Sequence, residues 1–317
     1  MLFRIFGFAL NLFICVLLSS CGLKETKPKP EPLIIFYAPC FSPVMKTVRS
    51  DVKSQLNISL VTEPSGSQIA VRKLTELGRN CDILMLADNR LFKQIASSHC
   101  RWRMDFLNDE IVLGVGIRAK KADDAEKNWV QALLDDTVKI KRVDENLGPI
   151  GYRTLLVWKL MENKGYTGLA DKLKNKADKP VDDVDQLAVL LKSGETDYGF
   201  VYKTTCISND IRYIQLDKDI NLSSNDIDYS PAKVQFKKLK TGSEETVTVA
   251  GEPVAYGLSI PVNAQNKEGA VKFINYLFNR KDLFESFGFI YFKPKFYGTK
   301  EDFEQFKDIA DYAGDFL

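Results

Sequence analysis

From residue 33 onward, short apolar runs alternate with stretches whose apolar residues recur every three or four positions. "LIIFYA" (33–38) is a continuous apolar run of strand length. "SPVMKTVRSDVKSQL" (42–56) places Val44, Val48, Val52 and Leu56 at i, i+4 spacing, which predicts a helix begun by Ser42 and Pro43. "ISLVTE" (58–63) predicts the next strand and Gln68–Leu77 the next helix, with Ile69, Ala70, Leu74 and Leu77 as its apolar residues. Strands follow at "CDILMLAD" (81–88) and "DEIVLGVG" (109–116), with a helix over Arg90–Ala96 between them. A second series opens with Thr137–Val143 and the apolar helical stretch 146–166, which starts from a Gly/Pro loop. Residues 181–202 read as helix, a turn at Ser193–Gly194 and a strand ending at Tyr202. "PVAYGLSIP" (253–261) predicts another strand, and 267–289 a closing helical stretch. This alternation predicts an α/β fold with a parallel-rich sheet and right-handed crossovers. Ligands of such sheets sit beyond the carboxyl ends of strands, at helix N-termini.

The first residues change the picture of compartment. Met1–Arg4 carry one positive charge, and Ile5–Leu18 is apolar but too short for a comfortable membrane span. Leu18-Ser19-Ser20-Cys21-Gly22 then reads as a lipoprotein cleavage box. The expected organisation is a signal peptide over 1–20 and lipidation at Cys21. A Pro-rich tether follows over 21–32, and then the folded part, anchored to a membrane by lipid with its domain in the periplasm or outside the cell. Basic residues number 44 against 42 acidic, and Arg4 leaves with the signal, so the charge balance does not suggest nucleic acid. Beyond Cys15 and Cys21, four cysteines remain: Cys40, Cys81, Cys100 and Cys206. Cys81 and Cys100 flank a strand-out, helix-back segment, and in an oxidising compartment they read as a disulfide or as two buried thiols.

Four loop-to-helix junctions share one chemical character: Cys40-Phe41-Ser42-Pro43, Ser65-Gly66-Ser67, Gly148-Pro149-Ile150-Gly151 and Val181-Asp182-Asp183-Val184. Each offers backbone N–H groups at the positive end of a helix, two offer hydroxyls, and Tyr202 adds a phenol. Ser-Gly-Ser fits an ordinary N-cap, for which one Ser suffices, and two serines flanking a Gly also describe an anion cradle. If the four converge they form a nest of neutral donors for a small anion; otherwise they are four caps. His99 is the only histidine, so an enzyme with a Ser-His or Cys-His pair is disfavoured, and no His/Cys cluster has zinc-ligand spacing. No enzyme activity, cofactor or directly coordinated metal is expected.

"GSQIAVRKLTELGRNCDILMLAD" (66–88), "NDEIVLGVG" (108–116), "GPIGYRT" (148–154), "GETDYGFVYKT" (194–204) and "GEPVAYGLSIPVNAQNKEGAVKFINYL" (251–277) together resemble the molybdate/tungstate-binding proteins of ABC importers. That resemblance covers nearly all of 33–295 and implies the two-lobed type II periplasmic-binding-protein fold with a hinge of two crossing strands. It implies lobe 1 over 33–112, lobe 2 over 113–255 and a return to lobe 1 over 256–317. It also implies an oxyanion, molybdate or tungstate, held by Cys40 (where the family has Ser), Ser67, Ile150, Val184 and Tyr202. The implied partners are that oxyanion, an ABC permease and the membrane through the lipid, with the protein a monomer. The archaeal-type binders place carboxylates where this chain has Gly148 and Val201, so tetrahedral holding by hydrogen bonds alone is expected here. Receptors for sulfate, phosphate or an organic acid, and a lipoprotein that senses rather than transports, stay open as alternatives.

Overall fold

The computed structural model describes residues 32–95, 98–240 and 243–316. The expected signal peptide, Cys21 and all but the last residue of the tether lie outside the described residues. In chain order the strands and helices are β1 (Leu33–Tyr37), α1 (Ser42–Leu56), β2 (Leu60–Pro64), α2 (Ser67–Thr75), β3 (Ile83–Leu86), α3 (Leu91–Gln94), β4 (Arg103–Asp109) and β5 (Ile111–Val115). Then come α4 (Ala122–Leu134), β6 (Ile140–Lys141), α5 (Pro149–Asn163), α6 (Leu169–Lys176), α7 (Val184–Ser193), β7 (Tyr198–Tyr202), α8 (Lys203–Asn209) and β8 (Tyr213–Ile214). The remainder is β9 (Lys233–Lys240), β10 (Ser243–Ala250), β11 (Val254–Ser259), α9 (Lys267–Phe278), α10 (Lys281–Ser286), β12 (Ile290–Tyr297), α11 (Lys300–Phe303) and β13 (Asp311–Gly314).

Among the described residues, one sheet has seven strands in the order β13-β12-β4-β11-β3-β1-β2, and a second has four, β6-β7-β5-β8. The expected parallel pairing holds for β1 with β2 and β3, but β11 runs antiparallel to both β3 and β4, and β12 antiparallel to β4. The first large sheet is therefore mixed, because β11 enters it on the return from the other sheet and β12 from the closing helices, rather than through βαβ crossovers. The chain leaves this sheet at β4 and enters the other at β5, with Glu110 alone between them. It returns through Gly251–Pro253 into β11, whose first residue, Val254, pairs with Asp109, the last of β4. The two crossing strands are thus hydrogen-bonded neighbours at the crossing itself. Both sheet changes fall a few residues before the boundaries drawn from the sequence.

Val44, Val48 and Val52 bury the predicted face of α1, and Asn57 ends it in the left-handed conformation. The apolar face of α2 differs from expectation: Ala70, Val71 and Leu74 are buried, while Ile69 and Leu77 are exposed. The predicted closing helix is two helices, α9 and α10. Aromatic packing joins lobe to hinge, with Phe41 stacked on Phe106 and Phe289 and edge-on to Tyr256. Cys81 and Cys100 are free thiols buried in one apolar cluster with Phe36, Leu84 and Phe92. No helix among the described residues is long and apolar enough to cross a membrane.

Candidate functional site

The loops after β1, β2 and β3 lie side by side: Ser65 donates its N–H to the Tyr37 carbonyl, and Ala38 donates to that of Met85. Neither serine of Ser-Gly-Ser caps α2. The N-cap is Gly66, which receives no side-chain hydrogen bond, and Ser67 is the first helical residue. Ser67, 1% exposed, accepts the Ala87 N–H at 2.9 Å. A hydroxyl has one proton to give, so this bond occupies the oxygen and leaves the O–H free to donate. The Ser65 hydroxyl is also buried and has no hydrogen-bond partner among the described residues. An orphaned buried polar group costs roughly 1–3 kcal/mol unless something answers it. Of the two readings of this stretch, the N-cap does not hold for either serine.

From the other lobe, α5 begins with Gly148 and Pro149 and packs so closely that a Cβ on Gly151 would lie 2.4 Å from the Asp144 carbonyl oxygen. Only a glycine permits that approach. It sets Ile150 in the first turn, where N–H groups have no intrahelical acceptor, and Arg153 one turn further on. Arg153 is 1% exposed, and its Nη1 donates to the Ala87 carbonyl at 2.9 Å and to the Tyr202 hydroxyl at 2.7 Å. One buried guanidinium thus joins the Ser67–Ala87 corner of the first lobe to the end of β7 in the second. Its Nε and Nη2 have no hydrogen-bond partner among the described residues; the nearest opposite charge, Asp88 Oδ1, is 3.8 Å from Nη2. Burial pushes the Tyr202 phenol up to about 12 even against the neighbouring Arg153 charge, so Tyr202 keeps a proton it can donate.

A second set of contacts between the lobes runs beside the first. Tyr152 donates to Asp88 and accepts from Arg90 at 2.6 Å. Arg90 grips Asp88 through two bonds of 2.9 and 3.1 Å and Glu252 at 2.6 Å. Burial disfavours the Asp88 charge, yet Arg90 and Arg153 outweigh it and hold the carboxyl down at about 2. Phe236 of the β9–β10 hairpin stacks on Tyr152 at 5.2 Å with the rings within 1° of parallel.

Cys40 sits in the turn between β1 and α1, its thiol held neutral by burial and by the nearby Asp109 and Asp185 carboxylates. Asp109, fully buried at the crossing of the strands, accepts from Thr204 at 2.6 Å, Tyr256 at 2.7 Å and the Glu110 N–H at 2.8 Å. Burial nonetheless raises its carboxyl to about 6. Val184 begins α7, where Asp183 accepts the Gln186 N–H and Asp185 lies in the first turn. That rim of carboxylates makes the α7 start the least electropositive of the expected donors. Val201 is wholly buried and Tyr202 follows it on the opposite face of β7, so a carboxylate at 201 would point into the core rather than beside the Tyr202 hydroxyl.

Ser67 and Tyr202 are linked through Ala87 and Arg153, Ile150 shares only the first turn of the Arg153 helix, and Cys40 adjoins Tyr202 and Asp109. Two residues escaped the sequence reading. Arg153 stands inside a quoted motif on an otherwise apolar helix, and a charge at such a position is the signal that could have found it. Asp109 ends a strand whose polar residues disguised it.

The bacterial extracellular solute-binding protein family matches residues 33–290. An uncharacterized solute-binding protein of Petrotoga mobilis is 32% identical over 253 residues, 77% of this chain and 78% of that protein. The molybdate/tungstate-binding protein WtpA of Pyrococcus abyssi is 30% identical over 306 residues, 86% of this chain and 88% of that protein. Among solved structures, the periplasmic molybdate-binding protein of Azotobacter vinelandii superposes with a TM-score of 0.57 at 14% identity, over 81% of this chain and 98% of that one. Peb3 from Campylobacter jejuni gives 0.52 at 11% identity, over 81% and 98%. At such identities the likeness is one of fold, the two-lobed periplasmic-binding-protein architecture.

Proposed function

The chain belongs to the bacterial extracellular solute-binding protein family, and from that premise we propose that it captures a tetrahedral oxyanion, molybdate or tungstate, between its lobes and delivers it to an ABC importer. The supporting observation is the pair of buried hydroxyls, Ser67 and Tyr202, on opposite lobes. Each accepts a hydrogen bond from the protein and keeps its own proton to give. Hydrogen bonds to a charged ligand contribute roughly 1.5–3 kcal/mol each, so these two with the N–H groups of Ile150 and Val184 offset much of an anion's desolvation. Cys40 adds a weaker donor, a neutral thiol that must first turn away from the Ala38 carbonyl it donates to at 3.8 Å. The kinship with a WtpA protein adds the choice of anion. In this reading the protein works as a monomer, tethered by lipid on Cys21, and hands its ligand to a permease.

A thermal-shift screen of the ectodomain against molybdate, tungstate, sulfate and phosphate tests it, since a ligand that binds only the native state raises the melting temperature. The expected result is a rise with molybdate and tungstate larger than with the other two. A rise with sulfate or phosphate alone would reassign the anion, and no rise with any would overturn the oxyanion reading.

A further inference from the structure

The cations of the cleft are not equivalent. Arg90 has its charge matched by Asp88 in a two-bond pair and by Glu252 at 2.6 Å. Arg153 makes hydrogen bonds only to neutral oxygens, the Ala87 carbonyl and the Tyr202 phenol, and its one ion pair, Nη2 to Asp88 Oδ1, is stretched to 3.8 Å. The guanidinium edge formed by Nε and Nη2 is buried and makes no hydrogen bond among the described residues. That edge carries two parallel N–H vectors, which match two oxygens of one oxyanion and give the strongest type of charge-assisted contact. Burial leaves little water to screen the charge.

We propose that Arg153 is the charged ligand of the site, gripping the oxyanion through its Nε–Nη2 edge, and that it makes the site select a tetrahedral dianion over a monoanion of the same shape. The proposal rests on the oxyanion reading above and deepens it. Hydroxyls and backbone N–H groups count oxygens, whereas a buried cation weighs charge. The arrangement also couples capture to closure. The same guanidinium holds Ala87 of one lobe and Tyr202 of the other, so an anion on its free edge touches the group that joins them.

The test uses molybdate and perrhenate, tetrahedral oxyanions of similar size that differ by one unit of charge. Calorimetry on the wild-type chain is expected to show tighter binding of molybdate. Arg153→Gln should weaken molybdate about ten- to a hundredfold, the loss expected for a bond to a charged group, and perrhenate much less, so that the preference collapses. Arg153→Lys should keep the preference and lose affinity, because an ammonium carries the charge without the fork. Equal losses for both anions would make Arg153 a bridge between lobes and overturn the proposal. So that nothing hangs on the folding of a variant, the Arg153 Nε–H resonance of the native protein supplies a second readout. It should move downfield and exchange more slowly with water on saturation with molybdate, and an unmoved resonance would overturn the proposal. Wild-type protein that binds neither anion would overturn the oxyanion reading itself, an outcome distinct from binding with an unchanged preference.

Discussion

In the proposed site Ser67 does two jobs with one hydroxyl, and that shapes what its removal does. Ser67→Ala deletes a donor toward the ligand and also strands the buried Ala87 N–H, so stability should fall by roughly 1–2 kcal/mol alongside an affinity loss of about ten- to a hundredfold. Tyr202→Phe is the cleaner probe, because Arg153 keeps the Ala87 carbonyl; affinity should fall similarly with little change in melting temperature. Cys40→Ser replaces a thiol by a stronger donor and should bind at least as well as wild type. Calorimetry on the three variants checks these outcomes together. Asp109 gives a prediction in pH. Its folded carboxyl, near 6, lies above the ordinary 3.8, so its contribution to stability is complete below about 3.8 and lost as pH rises through about 6. The loss amounts to about 3 kcal/mol. Urea melts of wild type and Asp109→Asn should therefore diverge between about pH 4 and pH 7, with the variant gaining relative to wild type at the upper end. Parallel curves would mean that Asp109 does not titrate there.

At the scale of elements, regular apolar spacing was legible and polar burial was not. The spacing in 42–56 and 181–202 led directly to α1, α7 and β7. β4 escaped because Arg103, Asp105, Asn108 and Asp109 sit within it, all buried; Arg103 bonds Asp105 at 3.1 Å and Asn89 bonds Asp105 at 2.8 Å. Such a strand depends on partners distant in sequence, which no local pattern records. β9 did carry a local signal, alternating buried Val234 and Phe236 with exposed Lys233, Gln235 and Lys237, and it went unread among its lysines. The exposed Ile69 shows the converse: apolar spacing limits a helix face only to within about a residue. The Cys81–Cys100 bridge remains a proposal about an oxidising compartment. Burial holds the Cys100 thiol up at about 12 and Cys81 higher, so both are poor thiolates once the fold has formed. Any bridge should therefore form before folding is complete. Peptide mapping of non-reduced protein decides between the proposed bridge and the two free thiols of the structure: a linked pair supports the bridge, and quantitative alkylation of both cysteines after denaturation without reductant would refute it.

For the whole molecule, the proposed site is as much a property of two lobes meeting as of any set of residues. Asp88 and Arg90 in one lobe hold Tyr152 in the other, and Phe236 backs the Tyr152 ring. Tyr152→Phe keeps the stacking and removes the hydroxyl between them. It should shift the ligand-free protein toward a more open form, seen as a larger radius of gyration by small-angle scattering, with the difference closing on ligand saturation. An unchanged radius would show that the latch carries no weight in closure. The joint between the lobes has a consequence of another kind. Glu110 is the sole residue between β4 and β5, and its carboxylate is pinned by Lys203 at 2.7 Å, Gln215 at 2.5 Å and Asn221 at 2.9 Å. A protease must draw several consecutive residues of free chain into its groove, and this joint has none to give. The crossing between the two sheets is therefore also where a protease finds the least purchase.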